Sequence, residues 1–209
     1  MNTNVWRSFG AVALVALAAG CASPPRAERY VGMPVGSTWT SQLRNTGSYN
    51  PGPSETAGKI VTVVYKGQTH NGFQLGPNTF VTAPTGDWIT QLGPDGKPVI
   101  TWDPPIGFNF PLEVGKTWTR AFKMTTHAND RSVDIVSNAV VEAYEEVTVP
   151  AGTYKTFRIR ATNNVGTDET FWYSPEHGIF VKQFLKRTDK FALGAGTRES
   201  ELKTLTVAK

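Results

Sequence analysis

The 209-residue chain contains one cysteine, Cys21. A single thiol closes no intramolecular disulfide, so a disulfide-stapled scaffold is excluded and the cysteine needs another purpose. Histidine is almost as scarce. His70, His127 and His177 are far apart, no two have ligand spacing, and no metal site is expected. Charged residues make up only 18% of the chain, with a formal net charge of +4 and no block of Lys and Arg. That excludes the electrostatic footprint of a nucleic-acid binder. The densest run, Lys182–Lys190, is interrupted by Phe184, Leu185 and Asp189 and reads as the solvated face of a strand. Beyond the N-terminus there is no amphipathic helical period. Gly-x-Ser-x-Gly, an acid-rich Ca²⁺ loop and a phosphate-cradling glycine loop are all missing. Catalytic residues and cofactors are expected to be none.

What is present begins with Phe9–Gly20, an uninterrupted apolar and small-residue run behind the single cation Arg7. It is about 12 residues long, where a membrane-spanning helix needs about 20. Residues 1–20 therefore read as a secretory signal peptide. The run ends Leu17-Ala18-Ala19-Gly20-Cys21, which resembles the lipobox of bacterial lipoproteins, with Ala18 where Leu or Val is usual. An ordinary secretory cut near Ala18-x-Gly20 or Ala22, with Cys21 incidental, is the alternative. The resemblance implies cleavage before Cys21 and acylation of its sulfur, and more than one acyl chain anchors stably. Ala22, not Asp, follows the cysteine. By similarity to the enterobacterial sorting rule, this implies the outer membrane, on its periplasmic side.

Residues 21–29 offer little to bury and carry Pro24 and Pro25, so they read as a lipidated cysteine and an extended tether. Residues 30–209 are expected to form one domain, a comfortable size for a single core. Its apolar residues alternate, and 20 Gly and 14 Pro punctuate them. In Val147–Ala161, Val147 and Val149 share one face of an incoming strand. Pro150-Ala151-Gly152 supplies a turn, and Phe157, Ile159 and Ala161 share one face of the outgoing strand, opposite Arg158 and Arg160. Similar alternation recurs at 59–66, 97–102, 116–126, 169–173, 179–185 and 200–207. About ten to twelve such strands describe an all-β fold, either an antiparallel β-sandwich or a partly open barrel.

Val35-Gly36-Ser37-Thr38-Trp39-Thr40 matches Val114-Gly115-Lys116-Thr117-Trp118-Thr119 at five of six positions, 79 residues apart. Tyr65 and Tyr144, and Thr69 and Thr148, fall at the same offset. Trp88 with Pro94-Asp95-Gly96 resembles Trp172 with Pro175-Glu176-His177-Gly178. Two tandem similar halves are therefore expected, about 30–104 and 105–190, with a closing strand at 195–207. Trp39 and Trp118 are expected to be equivalent core residues.

Val149–Tyr154, followed by Phe171–Lys182 (FWYSPEHGIFVK), resembles uncharacterised bacterial envelope lipoproteins with a β-sheet domain of unknown function. The likeness covers about 75 residues and implies a twisted antiparallel sheet in the cell envelope. It carries no catalytic residue.

Acid pairs offer no alternative chemistry. Glu145-Glu146 and Asp168-Glu169 are adjacent in strands, so each pair points to opposite faces, which suits solvation. The segment 87–112 gathers Trp88, Trp102, Phe108 and Phe110 among Gly and Pro. Those four rings are the candidate ligand contacts, for an envelope protein, peptidoglycan or a lipid. The competing reading is that they fill the seam between the halves. The expected function is a non-catalytic, membrane-anchored lipoprotein that binds a partner. The alternative is a carrier of a lipid or other hydrophobic ligand in an open β-barrel.

Overall fold

Alternation of inward and outward side chains, interrupted by Gly-containing turns, yields fourteen strands in the computed structural model, which describes residues 25–209. The signal segment and Cys21 lie outside the described residues. The strands are β1 Arg26–Ala27, β2 Thr38–Asn45, β3 Gly52–Tyr65, β4 Gln68–Leu75, β5 Asn78–Thr82, β6 Trp88–Leu92 and β7 Pro98–Ile106. They continue as β8 Leu112–Glu113, β9 Thr117–Thr126, β10 Arg131–Val149, β11 Gly152–Asn163, β12 Thr167–Ser174, β13 Ile179–Arg187 and β14 Gly196–Thr206. One 3₁₀ turn spans Gly47–Tyr49, and no α-helix occurs among the described residues.

Twelve strands close into one antiparallel barrel, and β1 pairs with β8 in a separate two-stranded ribbon. Of the two all-β architectures left open by the sequence, the chain adopts the barrel, and it is closed rather than partly open. Pairing of β14 with β2 and of β7 with β9 closes the ring, the second over only Ile100–Asp103 and Lys123–Thr126.

The ring consists of two six-stranded meanders, β2–β7 and β9–β14. Each begins with a strand carrying the motif tryptophan. The same three main-chain hydrogen bonds surround both motifs. Gly36 N–H donates to Ile60 O (2.9 Å) and Gly115 N–H to Val141 O (2.8 Å). Ser37 N–H donates to Pro34 O and Lys116 N–H to Glu113 O, both at 3.1 Å. Ile60 N–H donates to Ser37 O and Val141 N–H to Lys116 O, both at 2.9 Å. Trp39 pairs with Gly58 and Trp118 with Ala139, so the offset is 79 residues in the first strand but 81 in the second. The fixed 79-residue offset that aligns Tyr65 with Tyr144 therefore slips out of register. Trp88 and Trp172 stand in the fifth and fourth strands of their meanders, not in equivalent ones. Strand β14 is the sixth strand of the second meander, as β7 is of the first.

Paired residues of an antiparallel ladder share a face. Following the register around the ring places Trp118, Phe122, Trp102, Phe80, Phe73, Trp39, Leu43, Phe171, Ile159 and Val141 on the interior. The outer wall carries ion pairs: Arg158–Glu142 (3.0 Å), Arg160–Asp168 (2.7 Å), and Lys182 with Glu199 and Glu201 (2.9 Å each). A membrane-embedded barrel carries an apolar band on its exterior, and here paired charges occupy this part of the wall.

Strands β2, β4, β6, β9, β11 and β13 start at one end, where residues 25–37 and 106–116 also run. These two segments enter the core. Leu112 is fully buried with Ala27, Val141, Phe157, Ile159 and Tyr173, while Met33 joins a second cluster with Val149, Tyr154, Ile179, Val181 and Leu202. Packing thus begins at Arg26–Ala27, upstream of the tether boundary expected near Tyr30. The small Ala27 side chain fits beneath Leu112, and its main chain is held by pairing rather than by bulk.

Candidate functional site

The four candidate rings divide between two interior groups. Trp88 and Trp102 belong to a chain of aromatics running across the first meander. Ring centroids lie at 6.3 Å for Trp39–Phe73, 4.7 Å for Phe73–Phe80, 5.1 Å for Phe80–Trp88 and 5.9 Å for Trp88–Trp102. Trp102 is buried, and Trp88 is half-buried. Such offset and edge-on pairs contribute about 0.5–1.5 kcal/mol each beyond burial. Phe108 instead sits among Trp118, Phe171, Tyr173 and Phe180, at 5.5–6.4 Å, and Phe110 lies edge-on to Tyr30 and Tyr173. All four rings are thus surrounded by the chain's own aromatics.

An ion pair holds the segment bearing Phe108. Arg120, inward on β9, donates one guanidinium nitrogen to Asp87 Oδ1 and to Pro105 O, each at 3.0 Å. Gly107 passes so close to Asp87 that a Cβ there would lie 2.2 Å from Oδ1.

At the opposite end a polar cluster occurs that pattern reading missed. Glu169 pairs with Ala161 and Leu185 and therefore points inward, while its neighbour Asp168 turns outward to Arg160. The two acids do point to opposite faces as expected, but only Asp168 lies on the solvated one. Glu169, however, leaves bulk solvent for the barrel, because the outer wall of one residue is the inner wall of the next. Desolvation pushes its carboxyl up to about 7, against the opposing pull of the Thr167 hydroxyl and the Arg187 charge. The Arg187 guanidinium lies between two rings, its Cζ 3.8 Å from the Tyr49 centroid and 4.5 Å from that of Phe191. It also donates to Ser48 O at 3.0 Å. Arg198 stacks on Tyr49 at 4.7 Å and donates to Asn45 Oδ1 at 3.1 Å. Burial raises the Tyr49 phenol above its ordinary value. Arg187 is thus an exception to the solvated face read for Lys182–Lys190. The one available signal was its position five residues from Lys182, on the other face of the strand.

Two grooves open on the outer wall. One, of about 340 Å³, is lined by Thr38, Thr40, Ala57, Lys59, Gln74 and Thr204. The other, of about 530 Å³, is lined by Thr117, Thr119, Asn138, Val140, Glu142 and Arg160. They lie at corresponding places on the two meanders, and Trp39 with Gly58 in the first and Trp118 with Ala139 in the second contribute apolar lining among the polar side chains.

Of the histidines, His127 Nε2 lies 3.2 Å from Thr101 Oγ1. His177 Nδ1 lies 3.1 Å from Ser174 Oγ, whose residue is completely buried. This serine–histidine contact closes the β12–β13 turn. No group of three metal-ligating side chains converges among the described residues.

No protein-family model matches the sequence, and no curated protein matches it. The barrel superposes on a Bacteroides fragilis NCTC 9343 protein described as exported and as having a YmcC-like fold. The identity is 11%, the TM-score 0.50, and the match covers 86% of this chain and 99% of that one. A Parabacteroides distasonis ATCC 8503 protein described as a lipoprotein aligns at 10% identity and TM-score 0.48, over 86% and 99% of the two chains. The hypothetical lipoprotein YmcC of Escherichia coli K12 aligns at 16% identity and TM-score 0.43, over 82% and 88%. At 11% identity the likeness to the Bacteroides fragilis protein is one of fold.

Proposed function

We propose that this chain is a non-catalytic lipoprotein of the cell envelope, acylated on Cys21, held at the periplasmic side of the outer membrane, and acting by binding a partner through its barrel wall. The description of the Bacteroides fragilis protein of the same fold as exported agrees with that address. The observation that carries the binding reading over a hydrophobic carrier is the occupancy of the interior. Phe108 and Phe110 from the chain's own insert pack against the buried core, and both grooves open on the outer wall. We also read the two meanders, with their matched hydrogen bonds, as copies of one unit.

Two measurements on protein extracted from bacterial membranes test this. Mass spectrometry is expected to find a mature N-terminus at an acylated Cys21, and solvent extraction of the purified barrel to release no stoichiometric lipid. A free thiol on a soluble product overturns the anchor. Stoichiometric lipid overturns the binding reading in favour of the carrier.

A further inference from the structure

The motif shared by the two halves contains a residue that neither the core nor the grooves explain. Its tryptophan faces the interior, but its valine does not. Val35 and Val114 are 49% and 51% exposed. Each is the second residue of a four-residue turn closed by a 3.1 Å main-chain hydrogen bond, Ser37 N–H to Pro34 O and Lys116 N–H to Glu113 O. The third residue, Gly36 or Gly115, has φ of +96° or +88°, which glycine alone adopts without strain. The turn therefore projects its valine off the end of the barrel, once in each half.

These valines do not stand alone. Of the eight exposed large apolar side chains among the described residues, five belong to this end: Val31, Val35, Val64, Val114 and Val207. Leu193 lies at the other end, and Val136 and Phe184 are on the wall. The C-terminal segment is tied to the same end by Ala208 N–H donating to Ser37 Oγ at 3.0 Å. Exposed cations Arg29, Lys66 and Lys209 accompany the valines, with the acids Glu28 and Glu176 among them.

The chain also enters here. Pro25 opens the described structure, and Arg26 is already paired with Glu113. Only the four residue steps from Cys21 to Pro25 separate this rim from the anchoring sulfur's residue. At about 3.3–3.6 Å per residue, even a fully extended link spans about 14 Å. That keeps this rim within about 14 Å of the anchored residue, on the order of one or two headgroup layers, and is too short to turn the other end of the barrel toward the bilayer.

We propose that the end of the barrel bearing Val35 and Val114 seats on the bilayer surface that holds the acyl chains of Cys21, with these two valines entering the headgroup layer. The proposal rests on the lipoprotein reading above. Seated this way, the barrel stands on its end, and the Arg187–Tyr49 end points away from the membrane. The occupant is lipid and not protein because the anchor brings lipid within reach in every molecule, and because the exposed cations Arg29, Lys66 and Lys209 outnumber the exposed acids Glu28 and Glu176 beside the valines.

The test uses the full-length acylated protein in vesicles of phosphatidylethanolamine and phosphatidylglycerol. Acylation consumes the native thiol, so Val35→Cys, Val114→Cys and, as the far-end control, Leu193→Cys each offer one site for a polarity-sensitive fluorophore. Labels at 35 and 114 are expected to shift to the blue and to be quenched several-fold more by lipid-borne quenchers than the label at 193. Protein that floats with the vesicles while all three labels are quenched equally, or not at all, overturns the seating and leaves the anchor standing. Protein that does not float, and whose N-terminus is not Cys21, overturns both. Labels at 35 and 114 that are shielded without vesicles, together with a doubled mass in detergent, overturn the seating in favour of a second copy as the occupant.

Discussion

The Trp39 indole lies directly over Gly58, so closely that a Cβ at position 58 would come within 2.1 Å of its Cζ2 atom. In the second half the corresponding Trp118 stands opposite Ala139, where a methyl group is accommodated. One glycine therefore decides how deeply the first tryptophan sinks into the wall. Gly58→Ala is expected to push the indole off its site and destabilise by about 1–3 kcal/mol, the usual range for overpacking. Ala139→Gly is expected to cost about 1 kcal/mol by loosening a strand. Urea denaturation of both variants checks this, and a stabilising Gly58→Ala would contradict it.

The interior placement of the candidate rings makes a second prediction. Trp102→Ala is expected to destabilise by about 3–5 kcal/mol, as truncation of a buried indole does. Trp88→Ala is expected to cost less, since that ring is half-buried. Thermal unfolding and partner binding are measured together. Unchanged melting with lost binding would favour the ligand-contacting role for these rings.

Asp87 and Arg120 pair with side chains about one-fifth to one-quarter exposed. Removing one partner leaves the other charged and poorly hydrated. Asp87→Asn and Arg120→Met are each expected to cost about 1–3 kcal/mol, less than a fully buried pair because some solvent screens it. A double-mutant cycle by chemical denaturation is expected to show positive coupling. Simple additivity would mean that the pair does not hold the 105–108 segment.

Glu169 links stability to pH. Burial pushes its carboxyl up to about 7 in the barrel, from about 4.5 for a solvated glutamate. The folded state therefore binds the proton more tightly than the unfolded chain, and this group's contribution is fully present below about 4.5 and lost as pH rises through about 7. Thermal midpoints of the wild-type protein are expected to rise between pH 8 and pH 5 through this group. Glu169→Gln is expected to flatten that rise and to add about 1–2 kcal/mol at pH 8, after allowing for partial solvent contact. An unchanged profile in the variant would place the carboxyl in water.

Much of the fold was legible in particular stretches. The Val147–Val149 strand, the Pro150–Gly152 turn and the Phe157/Arg158 alternation each sit as the two-residue period demands. Only the last few residues of the 19-residue β10 were readable, because its upstream part alternates small and polar side chains with the apolar ones. The interior cluster around Arg187 and Glu169 was not legible. A charged residue on an inward position has the same local pattern as one on an outward position, and only the ring closure tells them apart.

By itself the sequence determined the strand period, the turn glycines, the paired tryptophan motifs and the all-β class. These depend on contacts between residues close along the chain, or on conformations set within a single residue. Only the tertiary structure decided that the sheet closes, that the 106–116 insert fills the interior, that Glu169 is inside and that Val35 and Val114 share one rim. Each of these depends on pairings between distant strands, β14 with β2 and β7 with β9, whose register no local pattern encodes.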